Sequence, residues 1–251
     1  MNTKTLLALA ALTVVGTASA VVTSANTLCR IEVNSGTKST IIAVPLVKVG
    51  DGSGIPANQL VLTDNLNVGD TILHWNGTTW DAWVVAENEE THAKYWNPTV
   101  ISEGSKNSTS APAEGTALAC GEAIWVNRTS QGADLTKPFF IYGQVAATTA
   151  KMPKITRASG APTYIMMGNT ALADVAITAL PLNGTPAEGD KIAVSATTGL
   201  GVKEYTWKDG AWKEATLGLV EGVLKPTVKT TEDTIPAGQG FWYIAQAQAV
   251  Q

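Results

Sequence analysis

Histidine and cysteine are almost missing from this chain of 251 residues: two of each, His74, His92, Cys29 and Cys120. That scarcity leaves no zinc-like ligand spacing. It leaves nucleophilic catalysis two candidate bases, and neither a Gly-x-Ser-x-Gly elbow nor a phosphate-cradling loop accompanies them. Charge is scarce too. Charged residues make up 15% of the chain, the net charge is −4 and no Lys/Arg cluster occurs, which argues against nucleic acid or an anionic membrane as partner. The apolar run Thr5–Val15 is too short to cross a bilayer, and no other segment approaches the required length without charge, so no membrane span is expected.

What is present begins with an export signal. Lys4 gives a positive start, Thr5 to Val15 an apolar run, and Ala18-Ser19-Ala20 a small-residue cleavage site. Residues 1–20 are therefore read as a cleaved signal peptide. An exported chain with an even number of cysteines invites a disulfide, Cys29 to Cys120, against the alternative of two buried thiols.

The mature chain repeats itself. Trp75-Asn76-Gly77-Thr78-Thr79-Trp80 is echoed by Trp207-Lys208-Asp209-Gly210-Ala211-Trp212, and Gly69-Asp70-Thr71-Ile72 by Gly189-Asp190-Lys191-Ile192. Cys120-Gly121-Glu122-Ala123-Ile124-Trp125 is echoed by Ala237-Gly238-Gln239-Gly240-Phe241-Trp242. Matched order with drifting spacing points to a duplicated unit with loop insertions. Short β-branched and aromatic runs, among them Leu28–Val33, Ser39–Val47, Phe139–Val145 and Lys191–Ser195, alternate with Gly, Asn, Asp and Pro turns. The expected fold is all-β: two tandem, similar antiparallel β-sandwich or barrel-like units, 21–147 and 148–251, after the signal peptide. Thr170–Leu180 is the best helix candidate. The halves differ at the Ser/Thr/Gly-rich loop Pro98–Ala119 and at extra residues around Thr197–Gly201.

The order Gly-Asp-x-Ile, Trp-x4-Trp, Ile-Pro-Ala-Gly-x-Gly-Phe-Trp resembles a group of uncharacterised, secreted, β-rich tandem-repeat bacterial proteins. Ile235–Trp242 carries the last motif and Leu118–Trp125 a degenerate copy lacking the proline. The resemblance implies bacterial export and a β fold. It implies no activity.

Candidate chemistry is thin. His74 alternates with Ile72 along a strand, and His92 follows the acidic run Glu87-Asn88-Glu89-Glu90-Thr91. A metal site from Glu87, Glu89, Glu90 and His92 lacks a recognisable spacing, and Asp51-Gly52-Ser53-Gly54 falls short of a calcium loop. Asp70 and Asp190 read as turn residues. No catalytic residue, metal or cofactor is expected. Of eight tryptophans, six fall into the repeat pairs, leaving Trp83 and Trp96. With Tyr95 these two are the candidate stacking surface for a sugar ring or a protein anchor. The leading expectation is an exported, non-enzymatic structural or adhesion-type protein, secreted or at the cell surface, with the periplasm also open. Its partner is itself, in a homo-oligomer or filament, or a surface glycan, with Val21–Val33 as a strand-donor arm. A carbohydrate-binding module and a secreted hydrolase are the alternatives.

Overall fold

Strands need β-branched and aromatic residues in short alternating runs, and turns need residues that tolerate positive φ; this chain supplies both. The computed structural model describes residues 28–33, 39–50, 52–101, 109–112, 116–128, 132, 134–145, 152–171, 173–195, 202–220 and 223–247. The segment expected to be a signal peptide, 1–20, Asp51, the Thr197–Gly201 loop, part of the Pro98–Ala119 loop and the start of the expected Val21–Val33 donor arm lie outside them.

In chain order the first strands are β1 (Leu28–Val33), β2 (Ser39–Ala43), β3 (Leu46–Val47), β4 (Ile55–Pro56), β5 (Thr71–Trp75), β6 (Trp80–Glu87), β7 (Lys94–Pro98), β8 (Ala117–Leu118), β9 (Ala123–Asn127) and β10 (Phe139–Val145). There follow β11 (Thr163–Gly168), β12 (Val175–Ala176), β13 (Lys191–Ser195), β14 (Val202–Lys208), β15 (Ala211–Val220), β16 (Val223–Thr230), β17 (Thr234–Ile235) and β18 (Gly240–Ala245). The fold is all-β, and every ladder between these strands is antiparallel. A single helical turn, Ala57–Leu60, and a 3-10 turn, Ile177–Ala179, interrupt the strands. The helix expected over Thr170–Leu180 is thus replaced by β12 and that 3-10 turn, because Val175 and Ala176 pair with Ile235 and Thr234. Among the described residues no helix is long and apolar enough to cross a membrane.

The first large sheet runs β2-β9-β5-β6-β7 and the second β11-β18-β13-β14-β15-β16. A three-stranded sheet, β1-β10-β3, covers the first. Ile31, Leu46, Phe139 and Ile141 from that cover meet Ile72, Trp83, Val85, Trp96 and Val126 in one sandwich core. Pro45 lacks an N–H, so the run predicted over Ser39–Val47 breaks there into β2 and β3. A second core gathers Met152, Ile155, Ile177, Ile192, Tyr205, Trp212, Ile235, Phe241 and Tyr243 behind the second sheet. The Leu28–Val33 part of the expected donor arm is occupied at home, paired residue by residue with β10.

The same backbone bonds recur around the two Gly-Asp turns. Gly69 N–H donates to Val85 O and Val85 N–H to Asp70 O; Gly189 donates to Trp207 O and Trp207 to Asp190 O. Ile55 opposite Leu118 is matched by Val175 opposite Ile235. These bonds give Trp207 the place of Val85. Its partner Trp212 takes the place of Trp96, the residue opposite Val85. The positions matching Trp75 and Trp80 are Ser195 and Val202. The two Trp-x4-Trp hairpins are alike in sequence and occupy different places in their sheets. Trp125 and Trp242 do hold matching places, opposite Ile41 and Leu73 in one sheet and Met166 and Ala193 in the other.

Candidate functional site

The stacking surface expected from Trp83, Tyr95 and Trp96 does not form. Trp83 and Trp96 are each 5% exposed and belong to the sandwich core. Trp96 Nε1–H donates to Val61 O at 2.7 Å, so even its polar atom serves the interior. Alternation along β7 turns Tyr95 the other way, 48% exposed. A lone tyrosine is left where a platform was expected. The physical cause is pairing: Trp83 sits opposite Ile72 and Trp96 opposite Val85, both on the core face.

The disulfide is also corrected. Cys29 and Cys120 are separate free thiols. Cys29 sits in β1 opposite Gly143, while Cys120 lies in the bend before β9. Burial raises the Cys29 pKa and pushes Cys120 up to about 11.

His74 is the one histidine in a buried polar group. It lies on the core face of β5, its Nδ1 3.8 Å from Asp81 Oδ2 and its Nε2 3.4 Å from Glu122 Oε2. Asp81 Oδ1 accepts from Ser110 Oγ at 2.8 Å and from Asn76 Nδ2 at 3.1 Å. A nucleophilic relay needs a hydroxyl or thiol against the imidazole. Here carboxylates flank both ring nitrogens, and the neighbouring hydroxyl donates to Asp81 instead. Among the described residues no group of three or more His, Cys, Asp or Glu is disposed to hold a metal. His92, at φ 55°, closes a surface turn and pairs with Glu87 at 2.8 Å.

Asp70 and Asp190 are turn caps. Asn67 N–H donates to Asp70 Oδ2 at 2.9 Å and Ala187 N–H to Asp190 Oδ2 at 2.8 Å. Asp190 also binds Arg157, the Tyr243 hydroxyl at 2.6 Å and Gln246 N–H at 2.8 Å. Burial, and then this bond, raise the Tyr243 pKa. On the first sheet Arg128, within electrostatic reach of Asp70, donates to the carbonyls of Lys137, Asn65 and Asp134.

Trp207, Trp212 and Tyr243 meet in the second core, and a larger aromatic cluster lies at the seam between the large sheets. Trp242 packs edge-on against Trp75, Trp80 and Tyr164 at 6.2, 5.7 and 6.3 Å between centroids. Trp80 also meets Trp125 at 5.9 Å. Trp75 Nε1–H donates to Tyr164 O at 2.8 Å, tying one sheet to the other. Tyr164, 49% exposed, escaped the sequence reading because a single tyrosine in a strand carries no local signal of what crosses to meet it. Beneath the rings the backbones pair: Ala43 N–H donates to Gly238 O at 2.8 Å and Gly168 N–H to Gly121 O at 2.9 Å. Ile42 bridges to Gln239, and Glu122 to Met167.

No known protein family, curated protein or solved structure matches this chain. Its own geometry carries the functional reading.

Proposed function

We propose that this is an exported, non-catalytic structural or adhesion-type protein of the cell surface or an extracellular assembly, built as two tandem β units, 21–147 and 148–251. One observation carries the reading: buried Asp70, Asp81, Arg128 and Asp190 hold backbone and turns in place. Asp70 and Asp190 cap turns, Arg128 gathers three carbonyls, and Asp81 ties Ser110 and Asn76 to the β5–β6 hairpin. Active sites characteristically keep such groups beside a cleft with a reactive partner; here they are absorbed in architecture. The signal-like start, the low charge and the repeated motifs support the same role.

Fractionating producing cells and imaging the envelope with antibody against the chain tests the proposal. The expected result is protein in surface structures or extracellular filaments. Recovery of soluble monomer confined to the cytoplasm would overturn it, as would a hydrolytic activity lost on His74→Gln.

A further inference from the structure

The two large sheets differ in the face they turn away from their cores. In the first sheet one row of that face crosses all five strands. Ser39 lies opposite Asn127, Asn127 opposite Thr71, Thr71 opposite Val84 and Val84 opposite Asn97. Ser39 and Asn97 are exposed and the three between them half-buried. The places matched above put Tyr164, Ile244, Lys191, Thr206 and Lys213 in the equivalent row of the second sheet. That row carries two lysines, each paired with a surface acid, Lys191 with Glu204 and Lys213 with Asp209. A solvated strand face is ordinarily built that way. The first row has no charge, and among the described residues of its five strands no side chain on that face is charged. Aromatic rings border the row on both sides. Tyr95, two residues before Asn97 in β7, is exposed, and Trp125, two residues before Asn127 in β9, is half-buried.

We infer that this face binds a neutral polysaccharide. A sugar ring offers C–H groups to aromatic or aliphatic side chains and hydroxyls to amides and hydroxyls, and it brings no charge to be matched. Tyr95 and Val84 supply the first kind of contact; Ser39, Thr71, Asn97 and Asn127 supply the second. Ser39 Oγ donates to Asn127 Oδ1 at 2.7 Å, which holds that carboxamide in one orientation. Neighbouring strands lie about 4.8 Å apart, so the row extends about 19 Å. Its side chains thus recur at a spacing close to the length of one sugar unit in an extended chain. Interfaces with proteins deplete serine and favour arginine and methionine; this face has neither arginine nor methionine. The inference rests on the adhesion reading above and gives it a partner class.

The test is affinity electrophoresis of the full chain in native gels cast with hydroxyethylcellulose, mannan or starch, with polygalacturonate as the charged control. The expected result is retardation by at least one neutral polymer and none by polygalacturonate. Tyr95→Ala and Asn97→Lys should each weaken that retardation about tenfold. Lys213, at the place matching Asn97, shows that the fold accepts a lysine there. Lys213→Ala, on the second sheet, should leave the retardation unchanged. Migration unaltered by all the neutral polymers, retardation that survives both first-sheet substitutions, or equal loss in Lys213→Ala would overturn the inference. So would a concentration-dependent dimer, without retardation, that Asn97→Lys abolishes, since a second copy would then cover the face. Protein found in the envelope that no polymer retards would sink the polysaccharide and leave the surface role standing. Soluble monomer confined to the cytoplasm would sink the role itself.

Discussion

Two glycines show how differently the same substitution acts at single positions. Gly77, at φ +99° with nothing within 4 Å of the place a Cβ would take, resists alanine only through backbone strain, about 1–2 kcal/mol. Gly168→Ala drives a methyl into Ala43 and the Glu122 carbonyl, backbone that cannot swing aside. Overpacking of that kind costs about 3 kcal/mol or more. Denaturant titration of both variants checks the order; equal losses would mean the seam yields more easily than its geometry implies. Ionisation adds a second residue-scale expectation. Cys120 holds its proton to about pH 11 in the fold, against 9.0 for an unperturbed thiol. Tyr205 and Tyr243 shift upward too, through burial and then through bonds to Asp233 and Asp190. Above about pH 9 the unfolded chain thus binds fewer protons than the folded one, and stability falls as pH rises through pH 9–11. Unfolding midpoints at neutral pH and at about pH 10 should differ in that direction. Alkylation of Cys120 in the folded protein should be slow near pH 8 and rise towards pH 11.

Among the elements, the Gly-Asp turn and the β6–β7 hairpin matter most. Asp190 answers Arg157, Tyr243, Ala187 and Gln246 from a fully buried position. Asp190→Ala strands the arginine and the tyrosine hydroxyl, at a cost of about 3–5 kcal/mol by thermal or denaturant unfolding. A loss below about 1 kcal/mol would mean the cluster is solvated. Trp96→Ala removes a core ring and orphans Val61 O, costing about 3–5 kcal/mol. It should therefore show as instability and not as selective loss of glycan binding. A stable Trp96→Ala variant that lost only glycan retention would restore the stacking surface that burial rules out. Strand positions were largely legible in the sequence: β1, β5, β9, β10, β13 and β18 start and stop where local β-branched runs and turns say they should. The strand β7 was missed because Lys94–Pro98 carries two charged or amide side chains and a proline, and only its pairing with β6 makes it a strand.

At the scale of the whole molecule the seam joins the two sheets. Trp242→Ala should loosen it while leaving each core intact, because Trp242 packs against the seam cluster and not the second core. The expected signature is a red-shifted emission from Trp75, Trp80 and Trp125 with far-UV strand content preserved. Unchanged emission would place the binding energy of the seam in its backbone pairs. The close approach of Gly168 to Ala43 and the packing of Trp242 on Trp75 and Trp80 belong to this scale.

The sequence by itself determined the all-β class, the bounds of strands such as β1, β5, β9, β10, β13 and β18 and several turns, because these follow from alternation, β-branching and positive-φ residues acting over a few neighbours. It also displayed repeated motifs, of which the Gly-Asp turns and the Trp125 and Trp242 strands hold matching places in the sheets and the Trp-x4-Trp hairpins do not. Tertiary structure alone decided which tryptophans face the core, which meet at the seam, and that Cys29 and Cys120 stay apart. It also decided that Trp207 stands in the place of Val85 and not of Trp75. Those outcomes depend on register between distant strands, and a register is set by everything packed on both faces of a sheet, not by the few residues between two tryptophans.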